Sequence, residues 1–377
     1  MIEFNDYPFE RLAKLLKDIE PNKELEPLSL TIGEPQFETP LFIQEELKRH
    51  SNLLNKYAKT SGEEFLKRSM IQFVKRRFGV ELKDSELIST FGTREVLFNF
   101  PQFFLHDRKS PVMAYTNPFY QIYEGAALSS RAKSIYINLT KERNYKPVLQ
   151  KDKLKDADLV ILNFPNNPTA SVMSIDEYKP WIEAALEYDF VLLNDECYSE
   201  IYRVEQPSLL EASLETGNRD FKNILVINSI SKRSSAPGLR SGFIAGDSDI
   251  LKEYAKYRTY TGCAVPLPLQ YAAAKAWSDE EHVRINREKY NKNFQIAKEF
   301  IGIEPPEATF YIWLEVDNDI EFTKRLYKEK NLKVIPGSFL SRDNQGKESV
   351  RIALVHSEDK TKEAMKRLRD FIKGEKS

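Results

Sequence analysis

"DLVILNFPNNPTASVMSIDEYKPWIEAALEYDFVLLND", residues 158–195, decides the architecture. Two short apolar runs with β-branched residues, DLVILN ending at Asn163 and FVLLN ending at Asn194, each open into a polar, turn-rich segment. Between them, SIDEYKPWIEAALEYD (174–189) places apolar residues at helical spacing with acids in the first turn. A third run of the same kind, ILVIN, ends at Asn228. Apolar strands separated by a helix are the pattern of a parallel sheet buried on both faces. Ligands of such sheets collect outside the carboxyl ends of the strands. The segments after the three runs, FPNNPTAS, DECYSEIY and SISKRSSAPGLR, are therefore expected on one rim.

Outward from that centre, ELIST (86–90) and PVMAY (111–115) read as further strands. FGTREVLFNFPQFFLH turns through Gly92 into a helix with a kink expected at Pro101. DEEHVRINREKYNKNFQIAKEFI (279–301) reads as a long charged helix opened by the capping pair Ser278 and Glu281. TFYIWLEV and VRIALV read as strands, and 358–373 as a final amphipathic helix. The expected fold is a three-layer α/β sandwich on a mostly parallel sheet, residues 41–285. A smaller α+β domain is expected from residues 1–40 and 286–377.

Composition excludes several classes. Lys and Arg (56) balance Asp and Glu (57), and the net charge of −1 leaves no basic footprint for nucleic acid and no polybasic membrane stripe. No apolar run reaches the roughly 18 residues of a membrane span, and the start, with its acids, does not read as a secretory signal. The expectation is a cytoplasmic protein. Two cysteines and four scattered histidines give no disulfide framework and no metal spacing. Cys197 reads as a small buried hydrophobe. His50, His106, His282 and His356 carry no signal. A nicotinamide dehydrogenase would need a strand–GxGxxG–helix unit, which the sequence lacks.

Lys232 stands among serines, with Pro237-Gly238 and Arg240 downstream. In isolation that composition suits a solvated loop. Combined with Asp195, Tyr198 and Asn167 on neighbouring strand ends, it suits a pyridoxal-phosphate site. Such a site needs a Schiff-base lysine, an acid for the ring nitrogen, a donor to the 3′ oxygen and a phosphate cradle.

NFPNNPTAS, NDECYSEIY and SISKRSSAPGLRSGF, in that order, resemble the signature of fold-type I aminotransferases of class I/II. The resemblance extends to TIGEPQFETP, KYAKTSG, FGTREVLF, NPFYQIY and VRIALV, and so covers nearly the whole chain. It implies pyridoxal 5′-phosphate as cofactor, an amino acid and a 2-oxo acid as substrates, and a homodimer. It implies Lys232 as Schiff-base lysine and proton shuttle, Asp195 on the ring nitrogen, and Tyr198 and Asn167 on the 3′ oxygen. Tyr120 would stack on the ring. Gly92, Thr93, Arg94, Ser229, Ser231 and Arg240 would cradle the phosphate, with Tyr57 reaching it from the neighbouring subunit. Arg351 would grip the substrate α-carboxylate, where Gly33 closes the N-terminal loop.

LTIGEPQFETPLFIQ and YRTYTGCAVPLPLQ resemble the succinyldiaminopimelate aminotransferase branch, with glutamate and 2-oxoglutarate as the second pair. Alternatives are an aspartate or aromatic aminotransferase, or a carbon–sulfur lyase on the same scaffold. A catalytically silent binding module would lack the lysine. Two departures stand out: Ala170 where the family commonly has glycine, disfavoured if that position needs φ > 0, and Gln36 where it often has aspartate.

Overall fold

The computed structural model describes residues 2–375. Its largest sheet has seven strands: β1 (Leu87–Thr90), β2 (Val112–Asn117), β3 (Lys133–Asn138), β4 (Leu159–Leu162), β5 (Val191–Asp195), β6 (Ile224–Ser229) and β7 (Gly242–Gly246). Their order across the sheet is β1-β7-β6-β5-β4-β2-β3. All pairings are parallel except those of β7, which runs antiparallel to both neighbours. The three runs that decided the sequence reading are β4, β5 and β6, side by side.

Period-two alternation explains the layering. Val160, Leu162, Leu192 and Val226 point into one apolar cluster, while Leu159, Ile161, Leu193 and Ile227 point into another. Each cluster is closed by helices, so the sheet is the middle of three layers. The helix Ile175–Tyr188 packs Tyr178, Trp181, Ile182 and Ala185 into the first cluster. It opens on a capping box, with Ser174 Oγ accepting from Glu177 N at 3.3 Å and Glu177 Oε2 accepting from Ser174 N at 2.8 Å. Each fully buried aliphatic side chain in these layers contributes on the order of 2 kcal/mol.

A second, antiparallel sheet is built from β8 (Tyr311–Glu315), β9 (Ile335–Pro336) and β10 (Ser349–Ala353), with β10 in the middle. Its own apolar cluster includes Ile312, Val350, Phe294 and Leu368. The helix Glu281–Ile301 contributes Phe294, Ile296 and Ala297 to that cluster, while its first turns lie against the segment after Lys232. No helix among the described residues is long and apolar enough to cross a membrane.

Several local expectations change. Ser278 does not cap the long helix. It is still in the last turn of the preceding helix (Leu267–Ser278), and its hydroxyl donates back to Ala274 O. Asp279 takes the role, accepting from His282 N at 3.0 Å. Pro101 does lie inside the expected helix, Thr93–Phe104, and its carbonyl accepts from Leu105 N at 2.9 Å. β3 and β7 were not read as strands. β3 lies at the sheet edge with only one fully buried residue, and β7 is a short segment with glycine at both ends.

Ala170 has φ +62, so this turn does need the left-handed region and alanine is the smallest side chain that can suffer it. A branched side chain cannot. Ala170→Val should cost about 2 kcal/mol or more, read as a lower thermal unfolding midpoint of the cofactor-free protein.

Candidate active site

Thr90 and Ser229 both pair with Gly242 across β7. The loop after β1 and the turn after β6 therefore leave the sheet on the same side. Glycine is needed there: a Cβ on Gly242 would sit 2.6 Å from Asn228 O. β4 and β5 end on that rim too, tied by Asn163 Nδ2 donating to Asp195 O at 2.8 Å, with Asn163 Oδ1 accepting from Asn167 N at 2.9 Å.

These strand ends surround a cavity of about 980 Å³. Its walls include Lys232, Asp195, Tyr198, Asn167, Ser229 and Ser231 from the central rim. Thr93, Arg94, Tyr120 and Arg240 close one side, and Gly33 and Arg351 another. Gly92 lies directly behind the wall, where a Cβ would come within 2.3 Å of Arg240 Nη2. Tyr57 is the one expected site residue that the structure leaves apart: it is fully exposed and outside the cavity wall.

Lys232 lies in the single helical turn Ile230–Arg233 and donates to Gly33 O. Burial pushes its pKa down to about 8, with the Arg351 and Arg94 charges adding to the effect. Asp195 is buried at the end of β5. Its Oδ2 accepts from Tyr123 O–H at 3.0 Å and its Oδ1 from Cys197 N at 3.2 Å. Burial raises its pKa in spite of these donors and of nearby Lys232. A buried carboxylate in this condition is completed by a cation.

The cations of the cavity are as incomplete. Arg240 donates to Pro237 O at 2.9 Å and Phe91 O at 3.1 Å. Arg351 donates to Asn167 Oδ1 at 2.8 Å and Thr31 O at 2.6 Å, and its Nε has no partner. Among the described residues no carboxylate pairs with Lys232, Arg240 or Arg351, although thirty-odd ion pairs occur elsewhere. Charges buried without counter-ions are costly, so the cavity is built for anionic ligands.

The donor set fits pyridoxal 5′-phosphate. The helix Thr93–Phe104 begins at Gly92 with no side chain capping its first amides, which is an anion-binding arrangement. Thr93, Ser229 and Ser231 hydroxyls and the Arg240 guanidinium stand beside it. Asp195 matches a basic ring nitrogen, and Lys232 an aldehyde.

Cys197 is corrected only in part. It is half-buried and packs against the apolar cluster of Tyr198, Phe310 and Tyr311 as expected, but its thiol also sits 3.1 Å from Thr93 Oγ1 and 3.7 Å from Ser229 Oγ, in the cavity wall. Tyr123, Asn163 and Tyr311 were not singled out from the sequence. Tyr311 Oη lies 2.9 Å from Tyr198 Oη, and a Cβ on Gly33 would come within 1.9 Å of it. Gly33 is thus required for close approach.

A parallel-sheet sandwich with a buried lysine, a buried aspartate and an anion cradle at the strand ends defines a pyridoxal-phosphate enzyme. The chain matches "Aminotransferase class I and II" over residues 26–368 and belongs to that family. It is a pyridoxal-phosphate-dependent transaminase, acting on an amino acid and a 2-oxo acid. It is similar to the crystal structure of aminotransferase AspB from Helicobacter pylori 26695, with 49% identity, a TM-score of 0.95, and 98% of this chain and 99% of that one covered. It is 29% identical to an LL-diaminopimelate aminotransferase from Natranaerobius thermophilus, covering 97% of each chain. It is 28% identical to an aspartate aminotransferase from Pyrococcus horikoshii, covering 98% of this chain and 94% of that one.

Proposed function

We propose that this transaminase is an N-succinyl-LL-diaminopimelate aminotransferase of lysine and diaminopimelate synthesis in the cytoplasm, with glutamate as the amino partner and 2-oxoglutarate as its product, the reaction being reversible. The observation that carries this reading is a surplus cation. Arg240 is assigned to the phosphate and Arg351 to the α-carboxylate, which leaves the Arg94 guanidinium over. Its Nε donates to Tyr120 Oη at 2.7 Å and its exposed end lines the cavity. The first residues of its helix serve the cradle, while the guanidinium, on the exposed side of the cavity, is free to take a second carboxylate. An N-succinyl group supplies one. The similarity to an LL-diaminopimelate aminotransferase supports a diaminopimelate skeleton.

The residues would divide the work as follows. When bound, pyridoxal phosphate supplies an aldehyde that takes up the amino group and a ring that disperses the charge left by a broken C–H bond. Asp195 keeps a proton on the ring nitrogen. The Lys232 amine would remove the proton from the substrate α-carbon and return it two bonds away, to the carbon on the other side of the nitrogen. Arg351 holds the α-carboxylate in a planar fork, with Asn167 fixing the fork's orientation from behind. Tyr198 and Asn167 hold the ring oxygen, and Tyr120 covers the ring.

Tyr57 is assigned to a second copy of the chain, completing the cradle of its partner in a homodimer. Its full exposure, together with that of Leu54 and Tyr260, supports this assignment. The large sheet with its helices is assigned to one domain, residues 41–285, and the rest to the other.

The test is kcat/KM for N-succinyl-LL-diaminopimelate, aspartate and tyrosine, each with 2-oxoglutarate. Preference for the first, reduced by Arg94→Ala, is expected, and preference for aspartate or tyrosine would overturn the assignment. Steady release of pyruvate and ammonia without an acceptor would identify a lyase.

A further inference from the structure

Outside the cavity wall, three polar side chains are joined by hydrogen bonds. Asp279 Oδ1 lies 2.6 Å from His282 Nδ1, and His282 Nε2 lies 2.8 Å from Ser234 Oγ. A carboxylate only accepts, so Nδ1 carries the proton and Nε2 accepts from the serine hydroxyl. The order acid–imidazole–hydroxyl matches that of hydrolytic triads, but Ser234 has no exposed surface and no substrate can reach it. Its work is internal.

Ser234 is two residues beyond Lys232, and the intervening residue is held as firmly. Asn286 Nδ2 donates to Arg233 O at 3.0 Å. The Arg233 guanidinium, 1% exposed, donates to Ala276 O at 2.9 Å and Glu280 Oε2 at 3.0 Å. Phe42 packs edge-on against the imidazole at 5.4 Å, closing it from water. Burial keeps the His282 pKa below its ordinary value in spite of Asp279, with the Arg233 charge helping and Glu280 opposing. The neutral ring that this chain of bonds requires is therefore the favoured form.

We propose that His282 is a positioning residue for Lys232. The line Asp279–His282–Ser234, with Asn286 and Glu280 on Arg233, clamps the lysine-bearing turn to the first turns of the helix Glu281–Ile301. A lysine side chain has four rotatable bonds, and among the described residues Gly33 O is the one hydrogen-bond acceptor this amine has, with the Phe310 ring 5.9 Å away. Where the amine can reach is then set by its main chain, a single helical turn too short to hold its own shape. The clamp supplies the rigidity that proton transfer between two carbons on either side of one nitrogen demands, since misplacement by about 1 Å costs up to about a hundredfold.

The proposal rests on Lys232 being the reacting amine, which borohydride labelling of the loaded parent protein tests separately. The clamp itself is read in cofactor-free protein, by amide hydrogen exchange over residues 230–236 in the parent, His282→Phe and Ser234→Ala. Exchange about tenfold faster in both variants is expected. In the loaded enzymes, kcat should fall about tenfold with KM within about twofold, and Ser234→Cys, which keeps a weak donor, should lose less. Ser234→Ala removes one buried oxygen and serves if His282→Phe does not fold. Exchange and kcat at parental values would overturn the clamp, and so would a lower melting point with both unchanged.

Discussion

Lys232→Ala protein should be inert: turnover at least about 10⁴-fold below the parent, and no cofactor fixed to residue 232 after borohydride reduction. In the proposed roles the same amine is asked both to hold the aldehyde and to carry the proton, and each duty alone is worth orders of magnitude. Lys232→Arg should be no better, because a guanidinium stays protonated and presents no nucleophilic nitrogen. The amine's titration can be checked without turnover. With its pKa near 8, roughly a quarter of it is neutral at about pH 7.5, against about one part in a thousand for an ordinary lysine. Acylation of Lys232 in the cofactor-free protein, followed by mass spectrometry, should rise with pH and level off above about pH 8. A rate still climbing at about pH 10 would mean that the amine is not desolvated as described.

Asp195→Asn should lower kcat by about 10²–10³-fold while leaving the fold intact. The amide is the same size: its oxygen can still accept from Cys197 N, and its NH2 can donate to the Tyr123 hydroxyl, which turns to accept. What it lacks is the charge that keeps a proton on the ring nitrogen. Losing one member of a buried charge pair costs about 3–4 kcal/mol, which is the fold-change given. Stability should move the other way. Burial raises the Asp195 pKa in the folded state, so the carboxylate's contribution falls as pH rises through its folded pKa. At neutral pH the buried charge is a burden on the cofactor-free protein. Cofactor-free Asp195→Asn should melt no lower than the parent at about pH 7. A markedly lower melting point would show that Asp195 holds the scaffold instead of the ring.

Much of this was legible because two periodicities coincide in one stretch. β4, the helix Ile175–Tyr188 and β5 were readable from apolar spacing and the Ser174–Glu177 cap, and strand ends then located the rim. The reversed strand β7 escaped, since an antiparallel neighbour leaves no crossover helix to announce it and its glycines hide the pattern. Lys232 and Asp195 were visible as residue types at strand ends. Tyr123 was not, because its hydroxyl meets Asp195 only after the chain between them has folded. His282 carried no sequence signal for the same reason: its partners are three residues back and forty-eight residues back. Ala170 shows the opposite case, a backbone demand readable from one substituted position and met at φ +62.

β1 stands at the end of the sheet with β7 as its only neighbour. During synthesis, β1 therefore cannot join the sheet until β7, which ends at Gly246, has left the ribosome. A nascent chain that has emerged only through Lys232 already owns its amine, while the strand leading into the phosphate loop still lacks its place in the sheet.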